Sequence, residues 1–340
     1  MRNDPRLLEI LCCTACRGEL RLESDGASAL DGHVIAGRLT CTSCGSVYPI
    51  MEGVPRFVPA AVSAETRRTV EAFGYQWHRA DSVIQNTHFT SAEVFLDFIR
   101  PVTADYFSGK VVLDAGCGSG RFAAWAGRYG AALVIGVDLS ESVTLAFEHT
   151  RDMPNSLIIQ ADLFCLPLRP RFDYVFSVGV LHHTANPRKA FDALVAVLRP
   201  GGGLSAWVYG KEHNWWIIHF LNPFRTHITS RLPRKVLLVI SHLFAVPVFV
   251  LSRLAGGLAK REGLKQFRRT LFYSEYLTFL SAFGFHEHAL IVFDHLVPAI
   301  AEYIPFEEFE RWFGENRLEH AVITSRAGNS WRGFGVRACA

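Results

Sequence analysis

Three closely spaced glycines are the first residues of this chain whose type and spacing could do chemistry. Gly116, Gly118 and Gly120 follow the largely apolar run of residues 111–115 and precede a segment that can be helical. Because glycine has no Cβ, it adopts a positive φ readily and lets a ligand approach the main chain closely. A dinucleotide fingerprint would need a glycine where Arg121 stands, and a P-loop would need Gly-Lys-Ser/Thr. The pattern therefore predicts a ligand cradle of another kind.

Two acidic residues stand at the ends of the next two predicted strands. Residues 132–138 and 157–162 are rich in apolar side chains and end in Asp138 and Asp162. A carboxylate at the end of the strand that follows a glycine turn is placed to accept hydrogen bonds from ribose hydroxyls. We therefore expect Asp138 to bind a ribose-containing ligand beside the glycine turn.

A histidine pair follows the fourth predicted strand, residues 172–179. In open α/β sheets, ligands bind outside the carboxyl ends of the strands. Histidine titrates near neutral pH and is the usual base for removing the proton of an oxygen or thiol acceptor. We expect His183, with His182 beside it, to act in this way, and Tyr209 and His213 are further candidates. The competing interpretation is a histidine pair that only caps the strand.

Two Cys-x-x-Cys pairs predict a structural zinc site, and their members are Cys13, Cys16, Cys41 and Cys44. Four thiolates complete the tetrahedral coordination of zinc and leave no open position for catalysis. The separation between the pairs is longer than the common ribbon spacing, and a hairpin with a polar tip around Asp25 would absorb the excess. Cys12 could replace Cys13, and a set of reduced cysteines that binds no metal is the alternative.

The elements that position these residues occur in a fixed order. The run from Asp114 reads Asp-x-Gly-x-Gly-x-Gly, and it is followed by the acids at 138 and 162 and by a Pro-Gly turn at residues 200–201. This series resembles the motifs of the class I S-adenosylmethionine (SAM) methyltransferases across residues 105–210. The closing segments 318–324 and 331–338 fit the terminal antiparallel strand of that fold.

The resemblance implies an α/β fold with a Rossmann-like seven-stranded sheet and a set of SAM-binding residues. That set is Asp114, Gly116, Cys117, Gly118, Gly120, Asp138, Leu139, Asp162, Leu163 and Ser177. The N-terminal segment is similar to the small zinc-ribbon domain related to the activator subunit of tRNA and protein methyltransferases, including its exit at residues 48–55. SAM and a structural zinc ion are the cofactors that follow from the two resemblances.

The chain divides into five predicted parts. These are a zinc-ribbon-like domain (1–60), an N-terminal helical cap (61–108), the SAM-binding core (109–210), a helical insertion (211–300), and the last helix and closing strands (301–340). Tyr75, Gln76 and Trp77 in the cap are expected to touch SAM or substrate, unless Phe73 and Trp77 are only core contacts.

The insertion contains an uncharged stretch of residues 236–252 beside a basic segment. Its length and polarity leave three interpretations open: a membrane span, an interfacial or substrate-covering helix pair, and ordinary buried helices. The neighbouring cations are Lys260, Arg261, Lys265, Arg268 and Arg269. Peripheral membrane association through residues 231–270, or a lid over a lipid-linked acceptor, would use both features.

The composition limits the function classes. A formal net charge of +3 over 340 residues does not by itself indicate nucleic-acid binding. The absence of an apolar run of signal-peptide length before Cys12 predicts a cytoplasmic protein with reduced or metal-bound cysteines. Our leading hypothesis is a SAM-dependent methyltransferase for a small-molecule, sugar or lipid-linked acceptor, with no nucleic acid favoured. The alternatives are a tRNA or protein methyltransferase, and a non-catalytic SAM-binding or zinc-ribbon partner protein.

Overall fold

The structure is a computed structural model that describes all residues except 3, 25–28, 31, 60–61, 85–90, 261–272 and 340. The expected hairpin tip around Asp25 and four of the predicted insertion cations lie outside the described residues. Those cations are Arg261, Lys265, Arg268 and Arg269.

The strands in the described part of the chain form one large sheet and one small hairpin. They are β1 (Leu20–Ser24), β2 (Ala29–Leu30), β3 (His33–Val34), β4 (Gly37–Cys41), β5 (Val47–Met51), β6 (Val54–Phe57), β7 (Val111–Ala115), β8 (Leu133–Asp138), β9 (Ser156–Ala161), β10 (Phe172–Val178), β11 (Leu198–Tyr209), β12 (Leu318–Arg326) and β13 (Ser330–Arg337). The large sheet has the order β1-β4-β5-β6-β9-β8-β7-β10-β11-β13-β12, and β2 pairs with β3.

The helices with α geometry cover both faces and one end of this sheet. They are α1 (Pro5–Ile10), α2 (Ala64–Ile84), α3 (Ser91–Phe98), α4 (Arg121–Arg128), α5 (Val143–Thr150), α6 (Pro187–Val197), α7 (Asn222–His227), α8 (Arg234–Ala259), α9 (Ser274–Leu280), α10 (Phe285–Leu296) and α11 (Phe306–Glu315). A π-helical turn (Ile217–Leu221) precedes α7, and short 3₁₀ turns follow several strands.

The middle of the sheet is parallel, and its order reverses at β7. From β7, the strand order continues through β8 to β9 on one side and through β10 to β11 on the other. All five strands are parallel. Parallel strands covered on both faces are apolar along their whole length, which is why these segments appear as continuous runs in the sequence. The reversal creates a crevice at the carboxyl ends of β7, β8 and β10, where ligands bind in this class of sheet.

The last two strands complete the fold. β13 lies between β11 and β12 and is antiparallel to both. This terminal antiparallel strand is the feature that the sequence comparison with class I SAM methyltransferases predicted. The predicted fold, a Rossmann-like seven-stranded sheet with a small β ribbon at the N-terminus, is confirmed.

The N-terminal ribbon is built into the same sheet. β1 and β4 pair with Leu20 opposite Cys41, and β4, β5 and β6 continue as an antiparallel meander. β6 then pairs in parallel with β9 through Arg56 and Phe57. Backbone hydrogen bonding therefore runs without interruption from the ribbon into the core.

The insertion is helical and packs over the edge of the sheet where the parallel strands end. Within the described residues, α8 is the one helix long and apolar enough to span a membrane, with a mean hydropathy of 2.1 over its most apolar window. Only 22% of that window is buried. Residues 236–252 are therefore buried along only one side of the helix, and the three interpretations of this segment stay predictions.

Candidate cofactor and acceptor site

The glycine turn after β7 has the geometry that its sequence predicts. Gly116, Gly118 and Gly120 have φ values of +85°, +52° and +76°. This left-handed region is costly for residues with a Cβ. The turn leads directly into α4, so its backbone lies at the amino end of a helix, a position that suits a ligand with polar or charged groups.

Neighbouring side chains approach the turn so closely that larger residues could not fit. A Cβ on Gly116 would lie 2.2 Å from Val180, and one on Gly118 would lie 2.7 Å from the indole of Trp77. Trp77 belongs to α2, so the N-terminal cap closes directly over the glycine turn. Trp77 also lines the cavity described below, and its contact with SAM or substrate stays a prediction.

Asp138 connects the end of β8 with the glycine turn. Its Oδ2 accepts a hydrogen bond from the backbone N–H of Gly118 at 2.9 Å. Its Oδ1 accepts from the backbone N–H and the hydroxyl of Ser140, at 2.8 and 2.7 Å. The carboxylate is therefore fixed in orientation at the mouth of the cavity, where it could accept hydrogen bonds from ribose hydroxyls.

A cavity of about 410 Å³ opens at this edge of the sheet and extends under the insertion. Six of the predicted cofactor residues line it: Gly116, Cys117, Asp138, Leu139, Asp162 and Leu163. The other four, Asp114, Gly118, Gly120 and Ser177, are not among its lining residues. The cavity is large enough for a ligand with several functional groups and is mainly apolar, as small-molecule sites usually are.

Two of the predicted residues that do not line the cavity, Ser177 and Asp114, lie in the strands next to the turn. The hydroxyl of Ser177 donates to the carbonyl of Ala115 at 2.8 Å and so links β10 to the end of β7. Asp114 is 2% exposed, and burial together with the nearby Asp138 carboxylate raises its pKa. Ser177 therefore supports the turn, and the buried Asp114 carboxylate lies in β7, the strand that leads into it.

The histidine pair lies where the sequence predicts, in a 3₁₀ turn after β10, but its two members differ. His183 lines the cavity, and its Nδ1 lies 2.8 Å from the carbonyl of Ile300. Because a carbonyl can only accept, Nδ1 carries the proton and Nε2 is left with the lone pair. Burial lowers the pKa of His183 to about 3. His182 is fully buried, is not among the lining residues, and packs against Tyr209 with tilted rings whose centroids are 3.9 Å apart.

A polar group that sequence reasoning missed lies at the inner end of the cavity. The Asp294 carboxylate accepts hydrogen bonds from the hydroxyl of Tyr209 at 3.0 Å and from the amide of Gln76 at 3.4 Å. All three residues line the cavity, and they come from α10, β11 and α2. Burial raises the pKa of Asp294, and the bonds from Tyr209 and Gln76 oppose this rise. The sequence did not indicate this polar group. Residues 293–298 only resemble a segment that leads back to the methyltransferase core after the insertion, and no catalytic role follows from that resemblance.

Two side chains that line the cavity each have a polar atom without a hydrogen-bond partner among the described residues. The Oε1 atom of Gln76 and the indole Nε1 of Trp207 are buried and have no hydrogen-bond partner in the structure. Both residues line the cavity. Buried polar atoms without partners are costly, so a ligand that supplies a donor and an acceptor here would be stabilised.

The four predicted zinc ligands converge. The Sγ atoms of Cys13, Cys16, Cys41 and Cys44 all lie within 4.8 Å of one another. The Cys13–Cys44 and Cys16–Cys41 sulfur atoms are 3.6 and 3.5 Å apart. A tetrahedral ion with Zn–S bonds of about 2.3 Å requires an S–S separation of about 3.8 Å. The set can therefore hold structural zinc after a small expansion, and Cys12 lies outside it.

Comparisons with known proteins match two segments of the chain to protein families. Residues 113–206 match the family described as methyltransferase domain, and residues 4–53 match the family described as Trm112p-like protein. The resemblance to a class I SAM methyltransferase with an N-terminal zinc ribbon is confirmed. The chain carries a methyltransferase domain, and the cradle geometry fits SAM as its cofactor.

Similar curated proteins match only part of this chain. The tRNA U34 carboxymethyltransferase of Pseudoalteromonas translucida is 40% identical over 100 residues, which are 28% of this chain and 31% of that protein. The tRNA (carboxymethyluridine(34)-5-O)-methyltransferase of Arabidopsis thaliana is 38% identical over 109 residues, 31% of this chain and 25% of that protein. A ubiquinone biosynthesis O-methyltransferase of Coxiella burnetii is 33% identical over 118 residues, 32% of this chain and 50% of that protein.

These matches correct the predicted acceptor. The leading hypothesis of a small-molecule, sugar or lipid-linked acceptor is wrong, because the relatives with the higher identities are named for tRNA. The expectation that no nucleic acid takes part is wrong for the same reason. A net charge of +3 averages over the whole chain and says little about the charge around one cavity. The chain spans less than a third of the length of these two tRNA-named relatives.

Proposed function

We propose that this protein is a SAM-dependent methyltransferase that modifies tRNA, with the uridine at position 34 as the first nucleoside to test. The observation that carries this proposal is the pairing of a methyltransferase domain, whose higher-identity relatives are named for tRNA, with a Trm112p-like ribbon in one sheet. The second alternative from the sequence, a non-catalytic partner protein, is disfavoured by the ordered Asp138 and the positive-φ glycine turn.

The depth of the cavity sets how such an acceptor would bind. The lining residues extend from the glycine turn to Asp294 and Tyr303 beneath the insertion helices. A paired and stacked nucleotide cannot reach that depth, so a single unstacked nucleotide would have to enter. Anticodon loops present unpaired bases, and Trp207 and Tyr209 supply aromatic surface in the cavity for one base.

When bound, SAM supplies an electrophilic methyl group, and the protein contributes mainly position. Asp138 would hold the ribose hydroxyls of the cofactor, and Trp77 would close the turn against water. A hydroxyl acceptor must also lose its proton as the methyl group arrives, and this requires a base in the cavity.

Asp294 is the stronger of two candidate bases, and His183 is the other. Burial raises the pKa of the Asp294 carboxyl above its ordinary range, which strengthens it as a base. The pKa of His183 is lowered to about 3, so its Nε2 is a weak base that can still accept a hydrogen bond. We assign proton removal to Asp294 and positioning of the acceptor to His183, with His182 as a packing residue.

We infer a cytoplasmic location from the same features. All eight cysteines are free thiols in the structure, and four of them form the metal cluster. Reduced cysteines and tRNA substrates both belong to the reducing interior of a cell.

The direct test incubates the purified protein with methyl-labelled SAM and, in parallel, total tRNA, total protein or a small-molecule extract. Label in the tRNA fraction that is lost on nuclease digestion and absent with Asp138→Ala would support the proposal. Label confined to the protein or small-molecule fraction would overturn it. SAM binding measured separately by calorimetry tells a wrong acceptor from an inactive preparation.

A further inference from the structure

Helix α8 carries a row of exposed apolar side chains, here named the α8 stripe. Its members are Val236, Val239, Leu243, Phe244, Val246, Val250, Leu251 and Leu254. Each is between 46% and 67% exposed. Most of them are three or four residues apart, so they share one face of the helix. A contiguous apolar surface of this kind marks an interaction site on a folded protein.

The opposite face of α8 is committed to the protein itself. Leu237, Ser241, Ala245 and Ser252 are buried, and the hydroxyl of Ser252 lies 2.8 Å from Nε2 of His288 on α10. A helix packed along one side against protein cannot be surrounded by lipid tails. It can, however, lay its other face on a surface.

The charged residues of the chain segment that contains the stripe have one sign. Between Glu212 and Glu262 the chain contains seven lysine or arginine residues and no aspartate or glutamate, and one of the seven, Arg225, is buried. Lys235 and Lys260 stand exposed at the two ends of α8. A helix of this length measures about 39 Å at 1.5 Å per residue, so the two cations border the stripe at both ends.

The exposed apolar stripe and the cations at its two ends together decide which kind of partner can bind there. A second copy of the chain would bring two cationic borders together, and like charges in contact are unfavourable. An RNA backbone would use the cations but would gain little from aliphatic valines and leucines. An anionic bilayer surface accepts both features, because apolar side chains enter the boundary between headgroups and acyl chains while lysines reach the phosphates.

We propose that the α8 stripe docks this protein on the surface of an anionic lipid bilayer, with α8 lying parallel to the membrane plane. This binding is separate from methyl transfer, since no residue of the stripe lines the cavity.

The test is sedimentation of the purified full-length protein with vesicles. One set is phosphatidylcholine alone, and the other contains about one-third phosphatidylglycerol, an anionic lipid. We expect sedimentation with the anionic vesicles, weaker binding at high salt, and at least about tenfold weaker binding to pure phosphatidylcholine.

Two variants locate the surface. Leu243→Glu with Phe244→Glu puts two charges in the middle of the stripe and is expected to reduce vesicle binding by about tenfold or more. Val322→Glu is the matched control, since Val322 is 43% exposed on β12, in a different element of the fold. Circular dichroism and thermal melting confirm that each variant folds, and both should bind SAM like the wild type.

Three results would overturn the proposal. The first is wild-type protein that stays in the supernatant with both kinds of vesicle. The second is vesicle binding that the double variant retains, since another surface would then be responsible. The third is a dimer in sedimentation velocity that the double variant abolishes while vesicles bind neither protein, because the stripe would then be a contact between copies. The expected result holds whether or not tRNA proves to be the acceptor.

Discussion

The two additions to the methyltransferase core, the ribbon and the helical insertion, are attached in opposite ways. The ribbon joins through backbone hydrogen bonds, because β6 pairs with β9 and extends the core sheet. The insertion joins through side chains that close over the cavity, with Asp294 reaching Tyr209 and Gln76. The ribbon therefore supports the cofactor side of the site, and the insertion supplies the acceptor side.

The contact between Arg56 and Gln160 shows how the ribbon reaches the cofactor. The guanidinium of Arg56 is 8% exposed and donates to Oε1 of Gln160 at 2.7 Å and to the Glu141 carboxylate at 3.0 Å. Gln160 in turn donates to the carbonyl of Leu139 at 2.9 Å. Leu139 follows Asp138 and lines the cavity, so a ribbon residue holds the loop that would bind the ribose. The difference between the regions predicts that ribbon variants change SAM affinity, whereas insertion variants change turnover.

Loss of the metal cluster should have the largest effect. Cys13→Ala should abolish zinc binding and unfold the ribbon, because structural zinc contributes about 10–16 kcal/mol of apparent binding energy in small zinc domains. Cys12→Ala is the matched control, since Cys12 is adjacent and buried but outside the cluster. The measurements are metal content by mass spectrometry and thermal melting. Equal zinc content in the two variants would contradict the assignment.

Replacing the proposed base should abolish most of the turnover. Asp294→Asn keeps the shape but cannot accept a proton, so we expect kcat to fall by about 10²- to 10⁴-fold with little change in SAM affinity. Wild-type activity should rise with pH as the raised pKa of Asp294 is passed, because only the carboxylate is a base. This rising limb should be absent in Asp294→Asn.

His183→Gln serves as the comparison for the Asp294 variant. In the wild type, the His183 side chain has a pKa of about 3 and is neutral throughout the measurable range. His183→Gln should therefore lower activity without changing the pH profile. The reverse pattern, a lost limb in His183→Gln alone, would return the base to the histidine that the sequence predicts.

Asp138 tests the cofactor side directly. Asp138→Ala should weaken SAM binding by about a hundredfold, since two charge-assisted hydrogen bonds to ribose would be lost. Asp152→Ala is the control, because the Asp152 side chain is 94% exposed on the loop after α5. Calorimetric titration with SAM measures both. Unchanged affinity in Asp138→Ala would show that the ribose is held elsewhere.

Arg56 gives the smallest expected effect and the sharpest test of the comparison. Arg56→Met removes the link between ribbon and loop, so SAM affinity should fall by about tenfold, with kcat at saturating SAM unchanged. Arg38→Met, on an exposed ribbon strand, should leave the affinity as it is. A fall in kcat without a change in SAM affinity would break the division between the two regions.

The sequence was sufficient for the parts of the site that are local in the chain. The glycine turn, Asp138 and the two cysteine pairs each consist of residues close in sequence or fixed in spacing, so their residue types reveal their roles. The position of His183 at the cavity also followed from the rule that ligands bind beyond the carboxyl ends of strands.

The sequence was not sufficient where distant segments meet. Gln76 and Asp294 are 218 residues apart, and Arg56 and Gln160 are 104 apart. No periodicity or motif connects such pairs, because their contact exists only after helices and strands have packed. The exposure of the α8 stripe could not be predicted either, since a largely apolar helix has the same sequence pattern whether it is buried or faces outward. The acceptor was wrong because it was argued from the net charge of the whole chain, which says little about the charge around one cavity.

The most direct test of the account is nucleoside mass spectrometry of tRNA treated with the protein and SAM carrying a deuterated methyl group. The account predicts a deuterated methyl group on a single anticodon uridine, present with the wild type, strongly reduced with Asp294→Asn and absent with Asp138→Ala. A tRNA pool without any deuterated nucleoside, from a protein shown to bind SAM and zinc, would contradict it.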